Sequence, residues 1–151
     1  MPTTRRSRTI PAPPDRIWEL IEDPHHMPRW WPGVKRMEDV QDDRWTQVFT
    51  TKKGRAVRLD FRLLDSQPPG PGGEPAGSRR WEQELLGTPF ERVLTSAVTE
   101  MTVEAAEQGS RVTITQIQKL RGYSRTGGFL LRRATRTRLD EALDGLSQAA
   151  G

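Results

Sequence analysis

The sequence predicts an α+β fold, in which a curved antiparallel sheet of about six to seven strands wraps around a long C-terminal helix. Three observations predict it. Apolar residues recur with a period of two from residue 34 to residue 120, which is typical of half-buried strands. Short turns separate these segments, whereas parallel pairing would need long crossovers. Residues 129–149 hold the one long helical pattern, so this helix must cover the apolar face of the sheet.

The elements before the sheet are a short strand and two short helices. The strand is predicted at Arg5–Ile10, and the prolines that follow it end it. Asp15–Glu22 is predicted as a helix, because its apolar residues share one face and Pro14 suits a helix start. His25–Trp31 is predicted to add one more helical turn before Pro32-Gly33.

The six following strands are predicted at residues 34–40, 45–51, 56–64, 79–86, 92–104 and 111–120. Lys52–Gly54 is predicted as a hairpin turn. Gln67–Gly77 is rich in proline and glycine, which predicts a flexible hairpin loop. At residues 45–49 and 96–103 the sequence does not decide which side chains face the core.

The last helix has one apolar face, formed by Leu131, Thr135, Leu139, Ala142, Leu143 and Leu146. A chain of 151 residues is long enough to bury a core without metal or disulfide support. We therefore expect one domain over residues 1–151.

Composition excludes several classes of site. The chain has no cysteine, so disulfides, cysteine-bound zinc and a thiol nucleophile are ruled out. Its two histidines, His25 and His26, are adjacent, and adjacent side chains on a helix point apart, which makes a poor chelate. No phosphate-binding or dinucleotide glycine motif occurs. We therefore predict no metal site and no cofactor.

The compartment is expected to be the cytoplasm. No window is apolar enough to span a membrane, and the first residues do not resemble a signal peptide. Only four of the 24 basic residues are lysine, a bias that favours a GC-rich bacterial origin.

Two stretches carry a family resemblance. Ile10–Asp23, followed by Trp30–Val34, resembles the opening of the START-like superfamily, also called SRPBCC. Gly109–Ile114 resembles the turn into the last strand of that superfamily. Its members include polyketide cyclases and aromatases, proteins of the birch-pollen allergen type, coenzyme Q-binding proteins and activators of the Hsp90 ATPase.

The resemblance implies a helix-grip fold with a deep hydrophobic pocket. Ligands in the superfamily are lipids, sterols, polyketides, quinones or plant hormones. Many members only bind and carry, whereas a minority catalyse cyclisation, dehydration or aromatisation of a polyketide. We find no match in this sequence to the polar pocket residues of the cyclase members, so no catalytic residue is assigned.

The candidate ligand-binding residues are inward-facing strand residues and their expected helical neighbours. They are Trp30, Trp45, Phe49, Leu59, Phe61, Trp81, Gln83, Met101, Ile114, Gln116, Phe129 and Leu139. An apolar ligand suits such aromatic and aliphatic walls, although the same residues also suit a solid core. We expect the pocket mouth near the loops at 30–33, 52–54, 87–90 and 122–128, with Tyr123 and Ser124 as candidate hydroxyl donors.

Polar residues on the strands divide into two sets by parity. Gln83, Gln116 and Gln118 share the parity of the inward apolar residues, so they are expected either to line a polar part of the pocket or to lie in water at its mouth. The opposite set is Glu82, Glu84 and Glu100, which we expect in solvent beside Arg58, Arg62 and Arg80. If the phase were reversed, these carboxylates would be candidate acids or bases.

Basic residues concentrate near the two ends of the chain. Residues 1–14 and 108–139 contain no acidic residue, and the family's sheet order would place both segments on one flank. Such a flank is expected either to remain a solvated basic face or to make weak contact with phosphate or an anionic surface. It lacks the interleaved aromatics of a nucleic-acid binder, so no specific nucleic acid is expected.

Three functions follow, in order of preference. The first is binding of a hydrophobic small molecule in a cavity between sheet and helix. The second is a polyketide cyclase or aromatase, which would need a positioned acid or base. The third is an interaction protein that uses the basic flank. The expected assembly is a monomer or a homodimer.

Overall fold

The computed structural model describes residues 3–122 and 125–151, and within them it confirms the α+β architecture. The strands are β1 (Thr3–Ile10), β2 (Val34–Glu38), β3 (Arg44–Thr50), β4 (Ala56–Gln67), β5 (Gly77–Gln83), β6 (Leu94–Ala106) and β7 (Gly109–Leu120). The helices are α1 (Pro14–Glu22), α2 (Met27–Trp30) and α3 (Arg125–Ala150). Short 3-10 turns lie at Pro24–His26, Pro71–Gly73 and Pro89–Arg92.

The strands form one curved antiparallel sheet in the order β1-β7-β6-β5-β4-β3-β2. Sequential hairpins build β2 to β7, as the short turns predict. β1 pairs antiparallel with β7, from Thr3 opposite Ile117 to Ile10 opposite Ser110. The first and last strands are therefore neighbours, as the sheet order of the superfamily implies.

Some elements extend beyond their predicted ends. α3 begins at Arg125 rather than at residue 129, although Gly127 and Gly128 were expected to precede the helix. Glycine weakens a helix by only about 1 kcal/mol relative to alanine, and a Cβ at Gly128 would lie 3.8 Å from Leu120 Cδ1. β4 continues past residue 64 to Gln67, because a register shift between Leu63 and Asp65 keeps it paired with β5.

The core lies between the inner face of the sheet, the second half of α3 and the two short helices. Most of the predicted face of α3 is buried: Leu139, Ala142, Leu143 and Leu146 have no exposed surface, whereas Leu131 is partly exposed. α3 approaches α2 so closely that a Cβ at Gly145 would lie 2.4 Å from the Trp30 carbonyl oxygen. Glycine is therefore required at this contact.

The outer face of the sheet carries cross-strand ion pairs. Arg62 lies 3.5 Å from Glu82 and Arg80 lies 3.4 Å from Glu100, so these carboxylates face away from the core, as predicted. Arg58 contacts Glu38 at 2.8 Å instead of one of the predicted glutamates, because β4 pairs with β3 and β3 pairs with β2 on that side. These exposed pairs contribute little to stability.

The basic flank is partly neutralised by α3. Arg6 contacts Asp140 at 2.8 Å, and Arg8 contacts Asp144 one turn later. Both acidic partners lie just beyond the basic segment at residues 108–139. Among the described residues, no helix has the length and apolar character needed to cross a membrane.

Candidate functional site

A cavity of about 570 Å³ lies between the first half of α3 and the sheet. Its floor consists of Leu59 on β4, Gln83 on β5, Leu94 on β6, and Gln118 and Leu120 on β7. Its roof consists of Gly127, Leu130, Leu131, Ala134, Thr135 and Arg138 of α3. Phe90, Arg92 and Val93, before β6, and Arg121 and Gly122, after β7, complete its wall. The cavity therefore occupies the position between sheet and helix that the sequence predicts.

The other half of the space between sheet and helix is filled by aromatic rings. Trp81 lies at its centre, with ring centroids 6.3 Å from Trp31 and 6.1 Å from Trp45. Trp45 stacks on Phe61 at 6.2 Å, and the Trp30 indole N–H donates to the Leu20 carbonyl at 3.0 Å. These rings and the leucines of the second half of α3 belong to one packed cluster, and the cavity lies beside the first half of the helix.

Small and aliphatic residues together form the helix side of the cavity. The first half of α3 contributes Gly127, Ala134 and Thr135 beside Leu130 and Leu131. Thr135 is buried, and its Oγ1 donates to Gln118 Oε1 at 3.2 Å. The threonine that shares the apolar face of the predicted helix is therefore satisfied by one of the inward glutamines.

Gln83 supplies an unused hydrogen-bond donor at the cavity floor. Its Nε2 atom is buried and has no partner among the described residues. An unsatisfied buried donor costs roughly 1–3 kcal/mol, so a ligand acceptor that reached it would recover that energy. Gln83 is thus the polar group that the cavity offers most directly to a bound molecule.

Two of the twelve candidate ligand-binding residues, Leu59 and Gln83, line this cavity. Seven others lie in the packed core: Trp30, Trp45, Phe61, Trp81, Met101, Ile114 and Leu139. Phe49 is partly buried against that core, and Gln116 donates to the Thr99 hydroxyl at 3.0 Å. Phe129 is 59 % exposed and lies in a surface groove beside Arg6 and Arg136.

Only some of the loops expected at the pocket mouth line the cavity. Phe90 and residues 122 and 127 belong to the loops expected there, whereas residues 30–33 and 52–54 do not line the cavity. Tyr123 and Ser124, the candidate hydroxyl donors, lie outside the described residues. His25 is exposed, with Nδ1 2.8 Å from Asp23, and no metal-binding cluster occurs in the part of the chain that the structure describes.

The inward face also buries an arginine that the sequence analysis did not single out. Arg79 is 5 % exposed, its guanidinium carbon lies 5.6 Å from the centre of the Trp45 ring, and it donates to Ser66 Oγ at 2.9 Å. Burial lowers the pKa of this guanidinium, while Glu22 and Asp23 act to raise it. Arg79 lies two residues before Trp81 on the same strand, so the alternation of side chains already indicates that it faces inward. Arg79 does not line the cavity.

The comparisons with known proteins agree with this architecture. Residues 1–151 match the family model described as polyketide cyclase / dehydrase and lipid transport. A START superfamily protein from Mycobacterium smegmatis aligns over 98% of this chain and 96% of its own, with 8% identity and a TM-score of 0.72. The resemblance to the START-like superfamily is therefore confirmed, together with its helix-grip fold. No curated protein matches the chain.

Two di-domain proteins are also similar in structure. The ARO/CYC protein BexL, from the BE-7585A biosynthetic pathway, has a TM-score of 0.76 and 18% identity, covering 99% of this chain and 46% of BexL. The ARO/CYC protein StfQ, from the steffimycin pathway, has a TM-score of 0.75 and 14% identity, covering 99% of this chain and 50% of StfQ. This chain therefore spans about half the length of each protein, and the likeness shows the fold alone.

Proposed function

This chain belongs to the polyketide cyclase / dehydrase and lipid transport family, and we propose that it binds a hydrophobic small molecule. The ligand class is a lipid, a polyketide or an aromatic compound, held between the sheet and α3. The proposed place of action is the cytoplasm, and the proposed assembly is a monomer or a homodimer.

The observation that carries this proposal is the open apolar space beside an unused donor. The cavity volume of about 570 Å³ falls within the usual range for small-molecule sites, about 300–1,000 Å³. Aliphatic side chains form much of its floor and roof, and burial of a ligand against them is favourable at roughly 25 cal/mol per Å² of apolar surface. The Gln83 amide then orients a ligand that carries an acceptor.

Titration with N-phenyl-1-naphthylamine, an uncharged fluorophore that brightens in apolar surroundings, tests the proposal. We expect saturable binding to the wild-type protein. Leu59→Trp should weaken binding about ten-fold or more, because the larger ring would occupy space above the cavity floor. Leu64→Trp is the matched control on the same strand, since Leu64 is 39 % exposed and does not line the cavity.

The control separates a specific site from surface adsorption. Leu64→Trp should bind the fluorophore like the wild type, and both variants should keep the wild-type circular dichroism spectrum. Equal affinity in all three proteins would contradict binding in this cavity. The absence of saturable binding to the wild-type protein would count against the proposal as a whole.

A polyketide cyclase is the second candidate, favoured by the family and by the donor at Gln83. A cyclase needs a group that removes a proton next to a carbonyl, and the described lining residues include no carboxylate and no histidine. Turnover of a linear poly-β-ketone that is lost in Gln83→Leu and retained in Gln116→Leu would support it. Gln116 suits the control because its amide donates to Thr99 and it does not line the cavity.

A further inference from the structure

The cavity lining includes three arginines and, among the described lining residues, no acid. Arg92 ends the 3-10 turn before β6, Arg121 follows β7, and Arg138 lies on α3. All three are exposed, so they lie where the cavity meets solvent. The remaining described lining residues are uncharged, and the cavity therefore combines an apolar body with a positively charged mouth.

These arginines lack the carboxylate partners that arginines on the outer face of the sheet have. Within the described ranges, no carboxylate lies within ion-pair distance of Arg92, Arg121 or Arg138. Arg121 is positioned by its Nε, which donates to the Glu91 carbonyl oxygen at 2.9 Å. That contact leaves both terminal amino groups of its guanidinium free for a second, charged acceptor.

Two acidic residues lie near this mouth without lining the cavity. The Glu91 carboxylate accepts from the Gly87 backbone N–H at 3.1 Å, and Glu91 lines a separate surface depression with Arg92 and Arg121. Glu141 shares a shallow groove with Arg138 but forms no ion pair with it. Neither carboxylate lines the cavity itself, and neither forms an ion pair with the three arginines.

From this arrangement we infer that the ligand is an amphipathic anion. Its apolar body lies between α3 and the sheet, and its carboxylate or phosphate is bound at the mouth by the three arginines. Guanidinium groups bind both oxyanions through paired, charge-assisted hydrogen bonds. A cationic ligand would meet three like charges, and a neutral one would leave them unused. This inference rests on the proposed function, because it names the ligand class of the same cavity.

Competition against N-phenyl-1-naphthylamine tests the inference with four ligands that share one alkyl chain. They are dodecanoate, dodecyl phosphate, 1-dodecanol and dodecyltrimethylammonium, each used below its micelle-forming concentration. We expect at least one of the two anions to displace the fluorophore at about ten-fold lower concentration than the alcohol, as one charge-assisted contact would give. This advantage should fall as salt is added.

Substitutions assign the effect to the mouth. Arg138→Gln should reduce the advantage of the anion, and Arg92→Gln/Arg121→Gln/Arg138→Gln should abolish it while 1-dodecanol binds as before. Arg132→Gln is the matched control, because Arg132 is an exposed arginine of the same helix that does not line the cavity. It should retain the full anion advantage.

The outcomes separate this inference from the proposed function. A stronger effect of dodecanoate supports a free acid as the ligand, and a stronger effect of dodecyl phosphate supports a phosphorylated lipid. Equal displacement by all four ligands overturns the inference and leaves the proposed function standing. Anion preference that survives the triple substitution overturns the role of these arginines. No binding of the fluorophore overturns both.

Discussion

Trp81→Ala is expected to lower the free energy of unfolding by about 3–5 kcal/mol, the range for truncating a buried aromatic residue. Trp81 is 2 % exposed and contacts the rings of Trp31 and Trp45. Its removal would leave a void at the point where the short helices meet the sheet, and rings of this size cannot collapse into it without moving the backbone. Urea denaturation monitored by circular dichroism measures the change.

The control for this substitution is Leu86→Ala, close to Trp81 in sequence. Leu86 is 84 % exposed, so its truncation should change the free energy of unfolding by no more than about 0.5 kcal/mol. A loss below about 1 kcal/mol in Trp81→Ala would mean that the tryptophan cluster is not close-packed. The distinction between a packed core beneath the second half of α3 and a cavity beneath its first half would then be wrong.

Leu139→Ala is expected to lower the free energy of unfolding by about 2–5 kcal/mol. Leu139 has no exposed surface, and it begins the part of α3 that packs on the core. The spread in the expected cost reflects how far the helix can settle into the space that the leucine leaves. Chemical denaturation measures this change as well.

Leu130→Ala, on the same helix, provides the comparison. Leu130 lines the cavity and is 56 % exposed, so the same truncation should cost less than about 1 kcal/mol. If both substitutions cost the same, the two halves of α3 would not differ in packing. A loss below about 1 kcal/mol in Leu139→Ala would show that this face of the helix is not buried.

Much of the fold was predictable because the strands follow simple periodicity. Leu59, Trp81 and Ile114 lie on the inner face and Glu82 and Glu100 on the outer face, as parity predicts. The sequence leaves open which residues of β3 face inward. In the structure Trp45 faces inward, but Val48, which has the opposite parity, is also fully buried. Val48 pairs with Arg36 and Arg58, and the long stems of arginines can cover an apolar neighbour.

The position of the cavity along the helix was harder to predict. Periodicity says which way a side chain points, but it does not say how much of the space between two layers the side chains fill. Seven of the twelve candidate residues belong to one packed cluster without lining the cavity, and this cluster contains all five tryptophans of the chain. Small residues such as Gly127 and Ala134 line the cavity together with Leu130 and Leu131, so the sequence of α3 alone does not locate it.

The mouth arginines were visible only as part of a long basic segment. The sequence places Arg121 and Arg138 in a basic flank that could be solvated or could contact an anion, because the sequence does not show which basic residues meet acidic partners. The structure pairs Arg6 with Asp140 and Arg8 with Asp144. The arginines at the cavity have no such partners among the described residues. Which arginines become paired depends on contacts between elements that are distant in sequence.

The measurement that tests the central claim most directly is methyl NMR of the protein saturated with N-phenyl-1-naphthylamine. Intermolecular nuclear Overhauser effects should connect the fluorophore to the methyl groups of Leu59, Leu94 and Leu131, which line the cavity. The methyl groups of Leu143 and Leu146, which are buried beneath the second half of α3, should show none. Contacts confined to the exposed Leu64 and Leu86, with none to the cavity leucines, would contradict a ligand held between the sheet and α3.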